Sequence, residues 1–450
     1  MTLKKTGFII YGITVTLLLS AVLGYNLLSG DQSYFLAGDA THGHYQIELA
    51  CNSCHQTPFA TEDDMQEACE NCHQQELKRV NDSHPKKKFT DPRNAEMLEM
   101  LDARFCVSCH KEHKPEITRQ YGVTIADDFC FHCHEEVTEE RPSHADFKFD
   151  TCATSGCHNY HDNSMLYEKF LMRNMKQADV KKKPKLPKRN SMRRWQKKNP
   201  EVDPLQFHDH DGDKLFGKDA IEAHQWAKSQ HAQAAVNCSG CHQISKEQSS
   251  EVPHLKQAID TCRSCHEKQF ERFTLGKHGM RIASGLPAMS PVDARQPMKP
   301  QLPHSQVTCQ SCHNPHTLDM QQAAVESCLS CHQDQHSVNY KQSSHYQLWL
   351  NEVAGDGAPG TGVSCASCHM PRIKKGKKVT VEHNQNRYLE PNTKMLKPVC
   401  MKCHGLEFSV AALSDEVLIE TNFNSKPDKS HPTFELIKKR LQQRLQQQSN

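Results

Sequence analysis

The chain opens with 22 uncharged residues, Gly7–Leu28, reading GFIIYGITVTLLLSAVLGYNLL. That is long enough to span a bilayer as one helix. Lys4 and Lys5 precede it and no small-x-small cleavage pattern follows. It therefore reads as a retained anchor rather than a cleaved signal peptide, with residues 1–6 cytoplasmic and everything after Ser29 outside. Beyond the anchor the apolar positions thin out. Three stretches keep a helical pattern: Leu166–Asp179, Asp219–Val236 with Asp219 as N-cap, and Phe434–Gln447. In the second, His224 and His231 share a face. In the third, the stripe Phe434, Ile437, Leu441 and Leu445 is expected to pack on the outside of a domain.

Hydrophobic residues make up 36% of 450, too few for one large aliphatic core. Yet 22 Cys, 30 His and 17 Phe are not the composition of a disordered chain. Something that binds Cys and His must fill the interior.

The cysteines fall into eleven pairs, each followed at once by His. Ten are C-x-x-C-H: Cys51/Cys54/His55, Cys69/Cys72/His73, Cys106/Cys109/His110, Cys130/Cys133/His134, Cys238/Cys241/His242, Cys262/Cys265/His266, Cys309/Cys312/His313, Cys328/Cys331/His332, Cys365/Cys368/His369 and Cys400/Cys403/His404. The other is C-x4-C-H, Cys152/Cys157/His158. This is the attachment signature of haem c: two thiols add across the vinyl groups on one macrocycle edge, and the next residue brings an imidazole under the iron. Chance placement gives roughly 0.07 C-x-x-C-H motifs per chain, against ten here. Zinc ribbons use C-x-x-C pairs but do not require His after every second Cys. A disulfide framework leaves the His unexplained. The sequence therefore implies eleven covalently bound haem c groups, attached outside the cytoplasmic membrane.

An 86-residue gap between Cys152 and Cys238 separates five motifs from six. The expected organisation is a cytoplasmic N-terminus (1–6), a transmembrane anchor (7–28), a pentahaem module (29–175), a basic linker (176–218), a hexahaem module (219–410) and a polar tail with a helix (411–450). The fold class is mainly α with extensive loops. Its haems form the core and short helices sit at the motifs.

After the eleven proximal His, 19 remain, enough for a second imidazole on every iron. The candidates are His42, His44, His84, His113, His144, His161, His224, His231, His254, His278, His304, His316, His336, His345 and His383, with His431 further downstream. Bis-imidazole ligation points to low reduction potentials. Eleven Lys or Arg between Lys176 and Lys198 face a single acid, Asp179. They read as a solvated linker, with a docking strip for an acidic redox partner or anionic lipid as the alternative. The formal charge of +2 also misleads: two propionates and one ferric core per haem take it to about −9. Nucleic acid is not an expected partner.

Residues about 42–172 resemble the class III cytochrome c (cytochrome c3) family, carried by His144–His161, HADFKFDTCATSGCHNYH. The anchor followed closely by haem motifs is similar to the membrane-anchored, quinol-oxidising multihaem cytochromes. Residues about 224–404 resemble, more weakly, the hydroxylamine oxidoreductase and multihaem nitrite reductase lineage. The carriers there are Lys277–Gly279, His332-x-x-x-His336 and Ser344-His345-Tyr346 ahead of Val363–Pro371. No motif has Lys in place of its His, so that lineage's active site does not carry over. The expectation is a membrane-anchored periplasmic cytochrome that moves electrons along a haem chain between the membrane pool and a redox partner, either a quinol or a protein such as another cytochrome. The alternative is an oxidoreductase acting on a small nitrogen or sulfur compound at one open-coordination haem in the C-terminal module, near His278, Tyr340, His345 and Tyr346.

Overall fold

The structure, a computed structural model, describes the chain except residues 1, 30–31, 58, 142–143, 145–157, 164–165, 214–216, 218, 243–258, 302 and 449–450. Cys152, Cys157 and His254 therefore lie outside the described residues. The chain divides into two compact units, residues 1–154 and 155–450.

The first unit begins with helix α1 (Thr2–Ser29). Its Thr6–Ser29 portion is, among the described residues, the one helix long and apolar enough to cross a membrane, and none of it is buried against the rest of the chain. Its few polar side chains fold back onto the helix. Thr16 donates to the Gly12 carbonyl at 2.8 Å and Asn26 to the Val22 carbonyl at 3.0 Å, which removes their need for water. Helix α2 (Glu62–Val80) starts at a capping box: the Thr61 hydroxyl accepts from the Asp64 amide while the Asp64 carboxylate accepts from the Thr61 amide. Glu62, Asp63 and Asp64 in its first turn, and Lys78 and Arg79 in its last, suit the helix dipole. The helix carries the second motif. Its Gln66 side chain accepts from the Cys106 amide at 2.8 Å, which ties in the third.

The second unit contains an aliphatic core that composition did not lead us to expect. Helix α3 (Glu168–Asn174), helix α4 (Leu406–Leu413) and helix α5 (Pro432–Gln448) meet there. Leu171, Leu396, Leu406, Val410, Phe434 and Ile437 are buried together, Leu406 and Phe434 completely. Burying each such side chain contributes about 1.5–3 kcal/mol. Phe434 and Ile437 thus dock the C-terminal helix as its stripe predicts. Leu166, Leu171 and Met175 pack in this core with Met395 and Val399, so the structural division falls before the 175/176 boundary read from the motif gap. The helix expected over Asp219–Val236 is two short ones, Ile221–Ala227 and Gln230–Gln233. The Ser229 hydroxyl accepts from the His231 and Ala232 amides and so starts a new helix where one was expected to continue.

The basic run is not a free linker. Val180 forms an antiparallel bridge with His404, Lys181 N donates to the Cys403 carbonyl at 2.8 Å, and Leu186 N donates to the Gly360 carbonyl at 2.8 Å. A short helix, α6 (Ser191–Lys198), lies within it. Farther along, Leu205 N donates to Ala232 O at 2.9 Å. The segment is a strap stitched along its own unit, because extended Lys- and Pro-rich backbone must place its amides somewhere and finds carbonyls at the motif turns. Strand β1 (Arg372–Lys375) and strand β2 (Lys378–Val381) form an antiparallel hairpin, the one sheet among the described residues.

Candidate haem-ligating sites

Each fully described motif is a single tight turn. In seven of them the His amide donates to the carbonyl of the first Cys, at 2.7 Å for His55, 2.9 Å for His110, 3.0 Å for His134, 2.8 Å for His242, 3.0 Å for His313 and His332, and 2.9 Å for His404. His73, His266 and His369 reach a similar turn inside helices. The spacing explains this: the chain must rise one turn between the first sulfur and the imidazole, and an i to i−4 bond is how backbone does so. None of the twenty described cysteines is in a disulfide. Nor, among the described residues, do three His, Cys, Asp or Glu converge as a structural zinc site requires.

Some attachment residues depart from the expectation of an enclosed haem core. Cys72 and Cys265 are exposed, whereas the other described cysteines are half-buried. The Ser264 hydroxyl reaches the Cys265 sulfur at 3.8 Å, and the Ser330 hydroxyl reaches the Cys331 sulfur at 3.7 Å. Neither contact follows from motif spacing. Each arises because the residue before the second Cys is a Ser on the same turn, and a sulfur is a weak acceptor as thiol or thioether. Backbone also fixes Cys331, whose carbonyl accepts from Lys299 N at 2.8 Å. His158, read as the proximal ligand of the C-x4-C-H motif, is exposed, and both of that motif's cysteines lie outside the described residues.

The imidazoles come together in pairs. In the first unit, His44 faces His73 with ring centroids 5.9 Å apart, and His84 faces His134 at 6.1 Å. In the second unit the pairs are His231 and His266 at 6.2 Å, His316 and His242 at 6.1 Å, His278 and His332 at 6.1 Å, His336 and His369 at 6.2 Å, and His345 and His404 at 6.2 Å. Each pair joins one motif His to one His predicted as a second ligand. Two metal–imidazole bonds of about 2 Å, plus roughly 1 Å from each nitrogen to its ring centre, give about 6 Å. The pairs therefore fit a metal held between two rings. His383 completes an eighth association in a looser sense, lying close enough to His313 to feel its charge.

Neighbouring groups orient the rings. A ring whose Nδ1–H donates to a carbonyl keeps its Nε2 lone pair for a metal. His336 Nδ1 lies 2.5 Å from Ile419 O, His383 Nδ1 3.1 Å from Val381 O and His404 Nδ1 2.9 Å from Asp179 O. His110 and His113 are oriented the same way, by Gly122 O at 3.2 Å and Gly38 O at 2.7 Å. Around His336, Asn422 Nδ2 donates to its carbonyl at 2.9 Å and lies 3.2 Å from its Nε2. His44 differs, since its Nδ1 lies 2.6 Å from the Glu112 carboxylate, which also accepts from Thr41. Burial works against the Glu112 charge, but hydrogen bonds from His44 and Thr41 and the adjacent His44 charge hold its pKa down at about 2. No sequence pattern singled out Glu112; its position three residues after Cys109, among the third motif's charges, is its only trace. Burial, and after it the charge of neighbouring His, push His278, His345 and His369 down to about 4, which favours the neutral ring that metal ligation needs.

The remaining predicted ligands have other recorded neighbours. His224 stacks on Phe207 at 4.0 Å and 9°. His42 leans on Tyr45 at 5.9 Å and His161 on Tyr160 at 5.2 Å. His304 is exposed and His144 is half-buried beside residues outside the described set.

The motifs also touch one another in chain order. In the first unit, Cys54 lies near Cys72 and Cys69 near Cys106. In the second, Cys241 lies near Cys262 and Cys265, Cys262 near Cys309, Cys312 near Cys328 and Cys331, Cys328 near Cys365, and Cys368 near Cys400. The six motifs of the second unit thus neighbour one another in chain order.

Comparison with known proteins agrees with this reading. A cytochrome c3 family model matches residues 43–135 and a cytochrome c552 model matches residues 342–426. A multihaem cytochrome of Shewanella baltica (strain OS185), MtrA, is 31% identical over 112 residues, which cover 24% of this chain. The chain spans about a quarter of that relative's length, 27%. No solved structure matches. The repeated attachment turns, the facing imidazoles and the matches to two cytochrome family models together support a multihaem c-type cytochrome.

Proposed function

We propose that the chain carries eleven haems c and relays electrons along them between the cytoplasmic membrane and a redox partner on its outer side. The observation that supports this best is the set of seven facing imidazole pairs. Bound haem iron supplies one-electron Fe(III)/Fe(II) chemistry, and two neutral imidazoles on each iron favour low potentials. The axial pairs would be His73 with His44, His134 with His84, His242 with His316, His266 with His231, His332 with His278, His369 with His336 and His404 with His345, with His383 serving His313. The protein's own task is to hold each ring at its iron, exclude water and keep successive attachment edges adjoining, because tunnelling falls off steeply with edge-to-edge distance. The sulfur series gives the second unit a path that follows chain order from the sixth motif to the eleventh. Helix α1 would anchor the first unit at the membrane, where a quinol or membrane protein exchanges electrons; a partner such as another cytochrome would take the other end.

If His278 and His345 serve the irons of His332 and His404, those two irons would have no open position for the small nitrogen or sulfur compound of the alternative reading. The test is the oxidised full-length protein by EPR together with CO binding to its reduced form. His345→Ala is expected to convert one low-spin haem to a high-spin, CO-binding one. A wild-type protein already carrying that high-spin haem, unaltered by the substitution, would refute the assignment.

A further inference from the structure

Between Lys181 and Lys198 the strap holds ten Lys or Arg and no Asp or Glu; between Pro371 and Val381 the hairpin holds five and none. The fold merges the two. Arg194 in α6 donates to the Lys377 carbonyl at the hairpin tip at 2.9 Å. A cleft of about 500 Å³ lies between them, lined by Lys188, Asn190, Arg194, Lys374, Lys377 and Val379 among others. Lys185, Lys188, Lys197, Lys198, Lys374, Lys375, Lys377 and Lys378 are exposed. Among the described residues none of them makes an ion pair.

Three features argue that this is not an ordinary solvated face. The ladder places Lys375 directly opposite Lys378, and like charges facing each other across a hairpin are destabilising. Arg189 and Arg372 lie close enough to oppose one another. The bound haems make the holo-chain net negative, so a cluster of uncompensated cations stands out against its surroundings. The patch is also next to the redox chemistry: strand β2 leads into His383, the proposed second ligand of the eighth motif, whose Nδ1 lies 3.1 Å from Val381 O, and Arg189 lies near His266 and His313, the His of the seventh and eighth motifs.

We propose that the strap and hairpin form a docking surface for an acidic redox protein, which exchanges electrons with the haems of the seventh and eighth motifs. The inference rests on the electron-transfer reading above. A docked donor loses one electron and one ferric haem becomes ferrous, with no bond made or broken. Opposite charges would raise the encounter rate and orient the partner over a haem edge, an effect that salt screens. Such a port lies within the series of haems rather than at its end, so electrons would enter or leave part-way along.

The test uses full-length holoprotein in neutral-lipid nanodiscs, with flavodoxin hydroquinone as the acidic donor and a basic ferrous cytochrome c as its counterpart. The variants are the quadruple K374E/K375E/K377E/K378E and its milder K→Q equivalent. At low ionic strength the Glu variant is expected to slow reduction by flavodoxin by roughly tenfold, the Gln variant to slow it less, and high salt to erase both differences. Reduction by the basic cytochrome should quicken. Complete reduction by dithionite, with unchanged haem content, leaves the electron-transfer reading standing whichever way docking falls. Equal flavodoxin rates for wild type and both variants would overturn the docking surface. So would capture by phosphatidylglycerol vesicles that the variants lose while their flavodoxin rates stay unchanged, which would make the patch a lipid contact.

Discussion

A histidine in this chain is defined by what its ring faces, and the structure separates residues that look alike in the sequence. His224 and His231 share a predicted helix face, but His224 stacks on Phe207 while His231 faces His266. His231→Met should therefore move one step of a spectroelectrochemical titration to higher potential, since a thioether ligand favours ferrous iron; His224→Ala should leave every step in place. Glu112 behaves like the carboxylates that back metal-bound imidazoles, raising ring basicity and fixing its orientation. Glu112→Gln is expected to raise the potential of the second motif's haem while leaving haem content unchanged, again read by titration. The candidate attachment motifs were legible from spacing alone, because covalent haem attachment would demand fixed residues at fixed intervals. How far each is covered was not: Cys265 and His158 are exposed, and burial depends on what the rest of the chain packs nearby. Glu112 was not legible either, because a hydrogen bond across a turn leaves no periodic mark.

At the scale of elements, local signals and tertiary contacts share control. The capping box at Thr61 and Asp64 is a purely local device, and Thr61→Ala should cost about 1 kcal/mol, seen as faster amide exchange in the first turns of α2. The strap depends on a close approach. A Cβ on Gly405 would sit 2.6 Å from the Ala178 carbonyl oxygen and 2.9 Å from that of Gln177, beside the Asp179 carbonyl that orients His404. Gly405→Ala should lift the strap, which limited proteolysis within residues 181–198 would report. Nothing in the Lys- and Pro-rich sequence marks this segment as bound, since its partners are carbonyls more than 170 residues away in the chain.

For the whole molecule, the pairings interlace. The second-ligand candidates rarely face the motif nearest them. His316 follows the eighth motif but faces the sixth, and His278 follows the seventh but faces the ninth. His336 follows the ninth and faces the tenth, while His84 follows the second and faces the fourth, passing over the third. On the proposed axial pairing, each haem would close a long loop. Such closures are entropically costly before the metal bonds form, so folding and haem loading should be coupled. Chain produced without haem attachment is expected to lack the near-UV signature of packed tertiary structure, while the mature protein should give eleven haems per chain by pyridine haemochrome. An apo-chain with native near-UV dichroism would contradict this, as would a count well below eleven.

By itself the sequence pointed to haem c as the cofactor, to a predominance of short helices and to an apolar N-terminal helix. Each of these follows from covalent spacing or from local hydrophobic pattern, which act over a few residues. The tertiary structure decided which imidazole faces which, that a small aliphatic core sits beside the last motifs, and that two basic segments far apart in the chain form one surface. Those outcomes depend on distances between remote parts of the chain. They are set by packing and by where extended backbone finds its hydrogen bonds.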